Sequence, residues 1–180
     1  MIWNIHLETP ETLHPDLTNF VVVTEVAEAQ PLAEPIFQRK YRTAAPPSSH
    51  GHHILALIRT PKGAWIAASY LNYLPFENAM LIGGACTDGS LLDKLPDWQR
   101  ARIRSAGGLM LQTVRYGEAR FADRSIATFG HCGDERSWTV LSQCGYQRLD
   151  HPHLIVRWNR EPVPTARSEL IRKVDALGEF

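Results

Sequence analysis

The chain has 180 residues, with 19 Lys plus Arg and 19 Asp plus Glu, so its formal net charge is zero. This length suits one domain, and a hydrophobic share of 44% is enough for a core that needs no disulfide or metal. Proteins that bind along phosphate backbones usually carry a basic excess. The charge therefore argues against nucleic acid as the partner.

The cysteines and histidines do not form a metal-binding motif. Cys86, Cys132 and Cys144 are odd in number and widely spaced, which predicts neither a disulfide framework nor a zinc site. Histidines cluster at 50–53 and at 151–153, but a metal needs three or four converging ligands. We expect no metal.

No segment predicts export or membrane insertion. The N-terminus lacks a basic region followed by an apolar run, and no stretch approaches the roughly 20 apolar residues of a membrane span. The sequence therefore predicts a cytoplasmic protein without a membrane partner.

Apolar periodicity and turn residues divide the chain into strands and helices after an irregular N-terminal lead-in of 18 residues. The predicted strands cover 20–26, 53–60, 64–73, 79–87, 125–130 and 147–158, the last interrupted near Pro152. Four helices are predicted: one after Pro35, one over 99–117, one over 134–144, and a last one that Thr165 can cap. A hairpin meander followed by two helix crossovers predicts an α/β fold with a mixed sheet of six to seven strands and helices on both faces.

The last helix is a candidate appendage. Residues 1–160 are expected to form the main domain and 161–180 a helical tail. The tail has an apolar stripe made of Leu170, Ile171, Val174 and Leu177. We expect this stripe to dock on the domain's own surface, with a homodimer contact as the alternative.

Three segments carry candidate chemistry. The strand 79–87 contains Gly83-Gly84, a pair that marks a bulge or a close backbone approach, although an ordinary core strand is the alternative. In 104–109, small residues at a helix start would let free amide groups bind an anion; close helix packing is the alternative. That function requires a helix start nearer Arg104 than Gln99.

The third segment, 134–146, begins with Asp134 as a helix N-cap candidate. Ser137 is the small residue three positions on, and Gly145-Tyr146 closes the segment.

The order of these segments resembles the acetyl-CoA-dependent N-acyltransferase (GNAT) superfamily over residues 20–158. The resemblance implies an acyl-CoA N-acyltransferase-like fold, with acetyl-CoA as co-substrate and its pantetheine arm against a bulged strand. The implied cofactor-binding residues are Ala85, Cys86, Thr87, Arg104, Ser105, Ala106, Gly107, Gly108 and Ser137.

Two positions depart from the family pattern. Leu109 occupies the last small position of the glycine motif, and Leu141 stands where the family has a tyrosine that often donates a proton to the leaving thiolate. Ser142 and Cys144 are nearby candidates for that proton donor, although a buried cysteine is more often an inert apolar residue.

Transfer of an acetyl group to an amine requires a base. His131 follows a strand that should run beside the cofactor, and imidazole exchanges protons near neutral pH. A structural histidine is the alternative. Asp134 could orient His131 or cap the helix, while Glu77 and Asp88 flank the central strand as second choices.

The leading hypothesis is an N-acetyltransferase that moves an acetyl group from acetyl-CoA to an amine of a small molecule or peptide. The rivals are a catalytically degenerate CoA- or partner-binding module, a Mom-like phage-type nucleobase-modifying protein, and an assembly protein that uses the last helix. Leu141 favours the degenerate module, and the neutral charge argues against the Mom-like protein.

Overall fold

The computed structural model describes residues 12–180, so the first 11 residues of the predicted lead-in lie outside it. The strands are β1 (Val21–Glu25), β2 (His52–Arg59), β3 (Trp65–Phe76), β4 (Ala79–Thr87), β5 (Ala127–His131), β6 (Gln147–Arg148) and β7 (Leu154–Trp158). The helices are α1 (Gln30–Lys40), α2 (Gly89–Leu92), α3 (Asp97–Ser105), α4 (Leu109–Phe121), α5 (Glu135–Ser142) and α6 (Pro164–Asp175), preceded by a 3-10 turn at Pro15–Leu17.

The strands form one sheet in the order β1-β2-β3-β4-β5-β7-β6. All neighbouring strands are antiparallel except β4 and β5, which are parallel. The mixed sheet predicted from the hairpin meander and the helix crossovers is therefore confirmed.

Helices cover both faces of the sheet. On one face, Ile103 of α3 and Val114 of α4 share a core cluster with Ile54 and Leu71 of the sheet. On the other, α1 covers the β2–β4 part and α6 covers β4, β5 and β7. We call these the α4 face and the α1 face.

The last helix docks on the α1 face. Leu170 and Val174 are buried with Leu81 and Phe129 of the sheet, as expected for a stripe that docks on the domain's own surface. The helix begins at Pro164, two residues earlier than a cap at Thr165 predicts, because proline is well suited to the first turn of a helix. Its N-cap is Val163, so the predicted cap at Thr165 is wrong.

The predicted helix 99–117 is wrong as a single helix. It is two helices, α3 and α4, separated by Ala106, Gly107 and Gly108. The φ angles of the two glycines are 86° and 91°, in the left-handed region that glycine enters without a steric penalty. The right-handed helix must therefore stop there, and α4 starts afresh at Leu109.

Two strand predictions also change. β3 continues through Pro75 to Phe76. The pairing of β2 with β3 begins at His52, opposite Tyr73, so no β2 residue lies beside Pro75. The N–H that proline lacks is therefore not needed for a hydrogen bond to β2. The predicted strand 147–158 is an antiparallel hairpin of β6 and β7, reversed at a turn where His153 has a φ of 61°.

Candidate functional site

β4 and β5 separate after a short parallel ladder. The ladder consists of Met80 opposite Thr128 and Leu81 opposite Phe129, whereas β4 continues to Thr87. The sheet therefore has a gap between the C-terminal ends of two neighbouring strands.

A β-bulge lies on β4 at this gap. Asn72 of β3 pairs with Gly84, but the next residue, Tyr73, pairs with Ile82, so Gly83 is the extra residue. A Cβ on Gly83 would lie 2.7 Å from a methyl carbon of Leu74, whereas a Cβ on Gly84 would meet no atom within 4 Å. The first glycine thus allows close packing, and the second lies beside open space. The bulge predicted from the glycine pair is confirmed.

Backbone groups of β4 face the gap. The Cys86 carbonyl accepts a hydrogen bond from the Ser69 hydroxyl of β3, and the Asp88 N–H donates to a β3 carbonyl. Because successive residues of a strand direct their backbone groups to opposite sides, those of Ala85 and Thr87 face away from β3. They form an open strand edge that an amide-bearing chain could pair with.

A cavity of about 260 Å³ lies beside the β6–β7 turn, and a larger one of about 610 Å³ occupies the gap. The larger cavity has walls from both faces of the sheet. Met110 and Val114 of α4 line it on one face, while Lys40 and Tyr41 at the end of α1 line it from the other. The gap therefore connects the two faces, so two molecules could meet in it from opposite sides.

The start of α4 opens into this cavity. Gly107, Gly108 and Leu109 line it, and no described side chain caps this helix start. The first amide groups of a helix have no intrahelical partner, and they form its positive dipole end. An uncapped helix start of this kind has the geometry and the positive dipole end that suit an anion.

His131 ends β5 inside the same cavity. Its Nδ1 is buried and finds no hydrogen-bond partner among residues 12–180. The imidazole ring lies 4.5 Å from the Phe180 ring, measured between centroids. A buried polar atom without a partner is rare in folded proteins, so this nitrogen is a candidate for a functional role.

A solved structure shares this arrangement of strands and helices. The ribosomal-protein-S18-alanine N-acetyltransferase from Escherichia coli matches with a TM-score of 0.52 over 80% of this chain and 97% of that chain, at 10% identity. The chain has the GNAT N-acetyltransferase fold. No family model and no curated protein matches the sequence.

Two further structures match more loosely. One is the AtaT toxin mutant bound to the C-terminus of the antitoxin AtaR and acetyl-CoA, with a TM-score of 0.39, 12% identity, and 77% of this chain and 93% of that chain covered. The other is AtaT complexed with acetyl-methionyl-tRNAfMet, with a TM-score of 0.40, 13% identity, and 84% and 98% covered.

The structure brings most of the predicted site residues to one place. Those that line the cavity are Ala85, Cys86, Thr87, Gly107, Gly108, His131, Asp134 and Ser137, with Leu141 beside them. Arg104, Ser105 and Ala106 precede the glycine break and are not among the described residues of the lining.

Asp134 caps α5. Its carboxylate accepts hydrogen bonds from the Ser137 amide at 2.9 Å and the Ser137 hydroxyl at 2.7 Å. These bonds lower the pKa of Asp134, so it stays ionised at neutral pH. Of the two roles predicted for Asp134, helix capping is the one observed.

The second-choice bases are held by ion pairs outside the cavity lining. Glu77 lies in the β3–β4 turn, where it pairs with Lys173 at 2.9 Å. Asp88 caps α2 and pairs with Arg39 at 2.6 Å. Burial raises the pKa of Asp88, but hydrogen bonds from Ser90, Arg39 and a backbone amide outweigh it and hold the pKa below its usual range.

The sequence analysis missed Tyr41 and Phe180. Both line the cavity through contacts distant along the chain: Tyr41 with β4, and Phe180 with the end of β5. No local motif marks either residue, because their roles depend on how α1 and the segment after α6 cross the sheet.

Two further observations concern metals and membranes. Residues 12–180 contain no group of three or more His, Cys, Asp or Glu side chains placed to hold a metal ion. Within the same residues, no helix combines the length and apolar character required to cross a membrane.

Proposed function

We propose that this protein transfers an acetyl group from acetyl-CoA to an amine of a small molecule or peptide. The observation that supports this most strongly is the gap between β4 and β5, which joins the two faces of the sheet and has an uncapped helix start at one mouth. Such a gap lets a long donor and an acceptor approach each other from opposite faces.

The residues present suit acetyl-CoA. Amides at Leu109 and Met110, in the first turn of α4, would hold its pyrophosphate, and the open backbone of Ala85 and Thr87 would pair with its amide-bearing arm. The free space beside Gly84 leaves room for that arm. Bound acetyl-CoA would supply an activated acyl group, and apolar residues of α4 and α5 would shield the site from water.

His131 is the proposed base. Its buried Nδ1 lacks a partner within the described chain, so it can accept a proton from an amine that enters from the α1 face. The acceptor would approach between α1 and α6, past Lys40 and Phe180.

An acetyl-transfer assay tests the proposal. Purified protein, labelled acetyl-CoA and a panel of small amines and peptide N-termini should yield labelled amide, with free CoA released in equal amount. CoA binding without transfer to any amine would favour the degenerate binding module over the enzyme.

Acetyl-CoA and CoA should stabilise the protein against heat. At about 100 times its Kd, a ligand that binds only the native state adds roughly 2.7 kcal/mol to the free energy of unfolding. For a chain of this size, that corresponds to a rise in Tm of about 5–10 °C. Differential scanning calorimetry across millimolar CoA checks this, and a flat Tm would contradict CoA binding.

Gly108→Glu should weaken CoA binding roughly tenfold or more, because its carboxylate would compete for the amides that receive the pyrophosphate. Gly63 offers a matched control. Both glycines have a φ near 90° (91° and 86°), and a Cβ at either would meet no atom within 4 Å. Gly63→Glu in the β2–β3 turn therefore also places a carboxylate at a position of positive φ with open space, and it should retain CoA affinity by calorimetry. Equal affinity in both variants would place the phosphate site elsewhere.

A further inference from the structure

The proposed reaction requires a proton for the departing CoA thiolate, and the expected donor is missing. Leu141, at the family's tyrosine position, contributes an apolar side chain to the cavity wall. The two nearby candidates from the sequence, Ser142 and Cys144, are not among the described residues that line the cavity. Burial also raises the pKa of Cys144 to about 11, and its side chain packs against the core of the α4 face.

A phenol reaches the same cavity from the other face of the sheet. The Tyr41 hydroxyl donates a hydrogen bond to the Ala85 carbonyl at 3.1 Å. That carbonyl belongs to the open edge of β4 and faces the gap. Tyr41 is 46% exposed, so its hydroxyl is not locked within the core.

The backbone conformation at the end of α1 places the Tyr41 side chain beside the gap. The N–H groups of Tyr41 and Arg42 both bond to the Phe37 carbonyl, at 2.8 and 3.1 Å, which closes the end of α1. Arg42 has a φ of 57°, a left-handed conformation common just after a helix but costly for a residue with a Cβ. The Phe37 and Tyr41 rings are 5.6 Å apart. The chain therefore reverses directly after Tyr41 and leaves its ring across the end of β4.

We propose that Tyr41 is the proton donor to the leaving sulfur, an inference that rests on the proposed acetyl transfer. A CoA arm paired with the open edge of β4 would compete for the Ala85 carbonyl and release the Tyr41 hydroxyl. As the bond from the amine nitrogen to the acetyl carbon forms, the carbon–sulfur bond breaks and its electron pair stays on sulfur. Tyr41 then gives its proton to sulfur, His131 takes the proton that the nitrogen loses, and both residues re-equilibrate with water.

The surroundings of Tyr41 keep it in the donor form. Burial, together with the Cys86 and Asp134 side chains, raises the pKa of Tyr41 above that of a free phenol. The hydroxyl is therefore protonated throughout the neutral range.

Tyr41→Phe should lower kcat roughly 100-fold or more, with little change in Tm or in the KM for acetyl-CoA. Tyr116→Phe is the matched control: its hydroxyl accepts a bond from the Glu25 amide on another part of the sheet, so kcat should not change. Adding Leu141→Tyr to Tyr41→Phe should restore part of the rate, because it places a phenol in the opposite wall of the same cavity.

A binding measurement tests the contact with sulfur without turnover. At pH 9, where part of the CoA is thiolate, wild-type protein should bind CoA roughly tenfold more tightly than desulfo-CoA. Tyr41→Phe should lose this preference in calorimetry. If the wild-type protein transfers acetyl groups, and Tyr41→Phe has the same kcat and the same preference for the thiol, the inference about Tyr41 is wrong and the proposed function stands. A Tyr41-dependent thiol preference without acetyl transfer by the wild type overturns the proposed function alone.

Discussion

His131→Ala should lower kcat by about 100- to 10,000-fold while leaving the affinity for acetyl-CoA nearly unchanged. The expected loss is large because a general base acts in the transition state, whereas the proposed contacts with acetyl-CoA come from backbone groups of β4 and α4. Steady-state kinetics with an acceptor from the amine panel, and calorimetry with CoA, measure the two quantities separately.

His151→Ala is the control for this change. His151 lies in the β6–β7 turn, where it pairs with Asp175 at 3.1 Å, and it lines the smaller cavity. Its loss should leave kcat within about twofold, because His151 is not among the described residues that line the larger cavity and its surface ion pair contributes little to stability. If the His131→Ala protein keeps the wild-type kcat from pH 6 to 9, the base is another group or a water chain, and the unpartnered Nδ1 has a structural role.

Local signals in the sequence were sufficient for much of the fold. The Gly83-Gly84 pair correctly predicted a bulge, because glycine tolerates the close approach of Leu74 and Asn72. Asp134 was correctly identified as an N-cap, because a carboxylate before a helix accepts its free amides. Both features depend on residues close along the chain or on one neighbouring strand.

The break between α3 and α4 shows how a local pattern can mislead. Apolar spacing continues from Ile103 through Val114, so periodicity alone predicts one helix. The function assigned to Gly107 required a helix start nearer to it, and the observed start, Leu109, lies even later than Arg104. The requirement for a helix start close to Gly107 thus indicated the position of the break better than the apolar periodicity did.

The catalytic set was harder to predict, because it depends on contacts between distant segments. Glu77 flanks β4 in sequence but lies at the end of the strand opposite the gap, where Lys173 of α6 neutralises it. Tyr41 is 44 residues from the carbonyl that it contacts. Sequence spacing cannot reveal which crossing element reaches the gap, so such residues emerge only from the folded chain.

Glu118→Ala should lower the free energy of unfolding more than a substitution at the protein surface. The buried Glu118 carboxylate of α4 accepts hydrogen bonds from Tyr73 at 3.0 Å, Thr128 at 3.1 Å, Arg157 at 2.9 Å, and the Tyr146 hydroxyl. These donors belong to β3, β5, β7 and the segment after α5. One side chain of α4 therefore links these three strands and that segment. Burial and the Glu118 charge raise the pKa of both tyrosines well above the usual range, so they remain donors.

Removing the carboxylate leaves Arg157 half-buried without its partner, together with three hydroxyl donors. Breaking a buried pair in this way costs about 3–5 kcal/mol, which for a chain of this size lowers Tm by about 6–20 °C. Chemical denaturation of Glu118→Ala measures the loss directly. Glu118→Gln keeps the shape, but its amide adds donors to a site that already holds four, so it should also be destabilised. The control is Glu161→Ala, which breaks an exposed pair with Arg167 and should cost no more than about 1 kcal/mol. A Glu118→Ala protein as stable as this control would show that the four donors find other partners. The hydrogen bonds to Glu118 would then not be what stabilises the packing of α4 on the sheet.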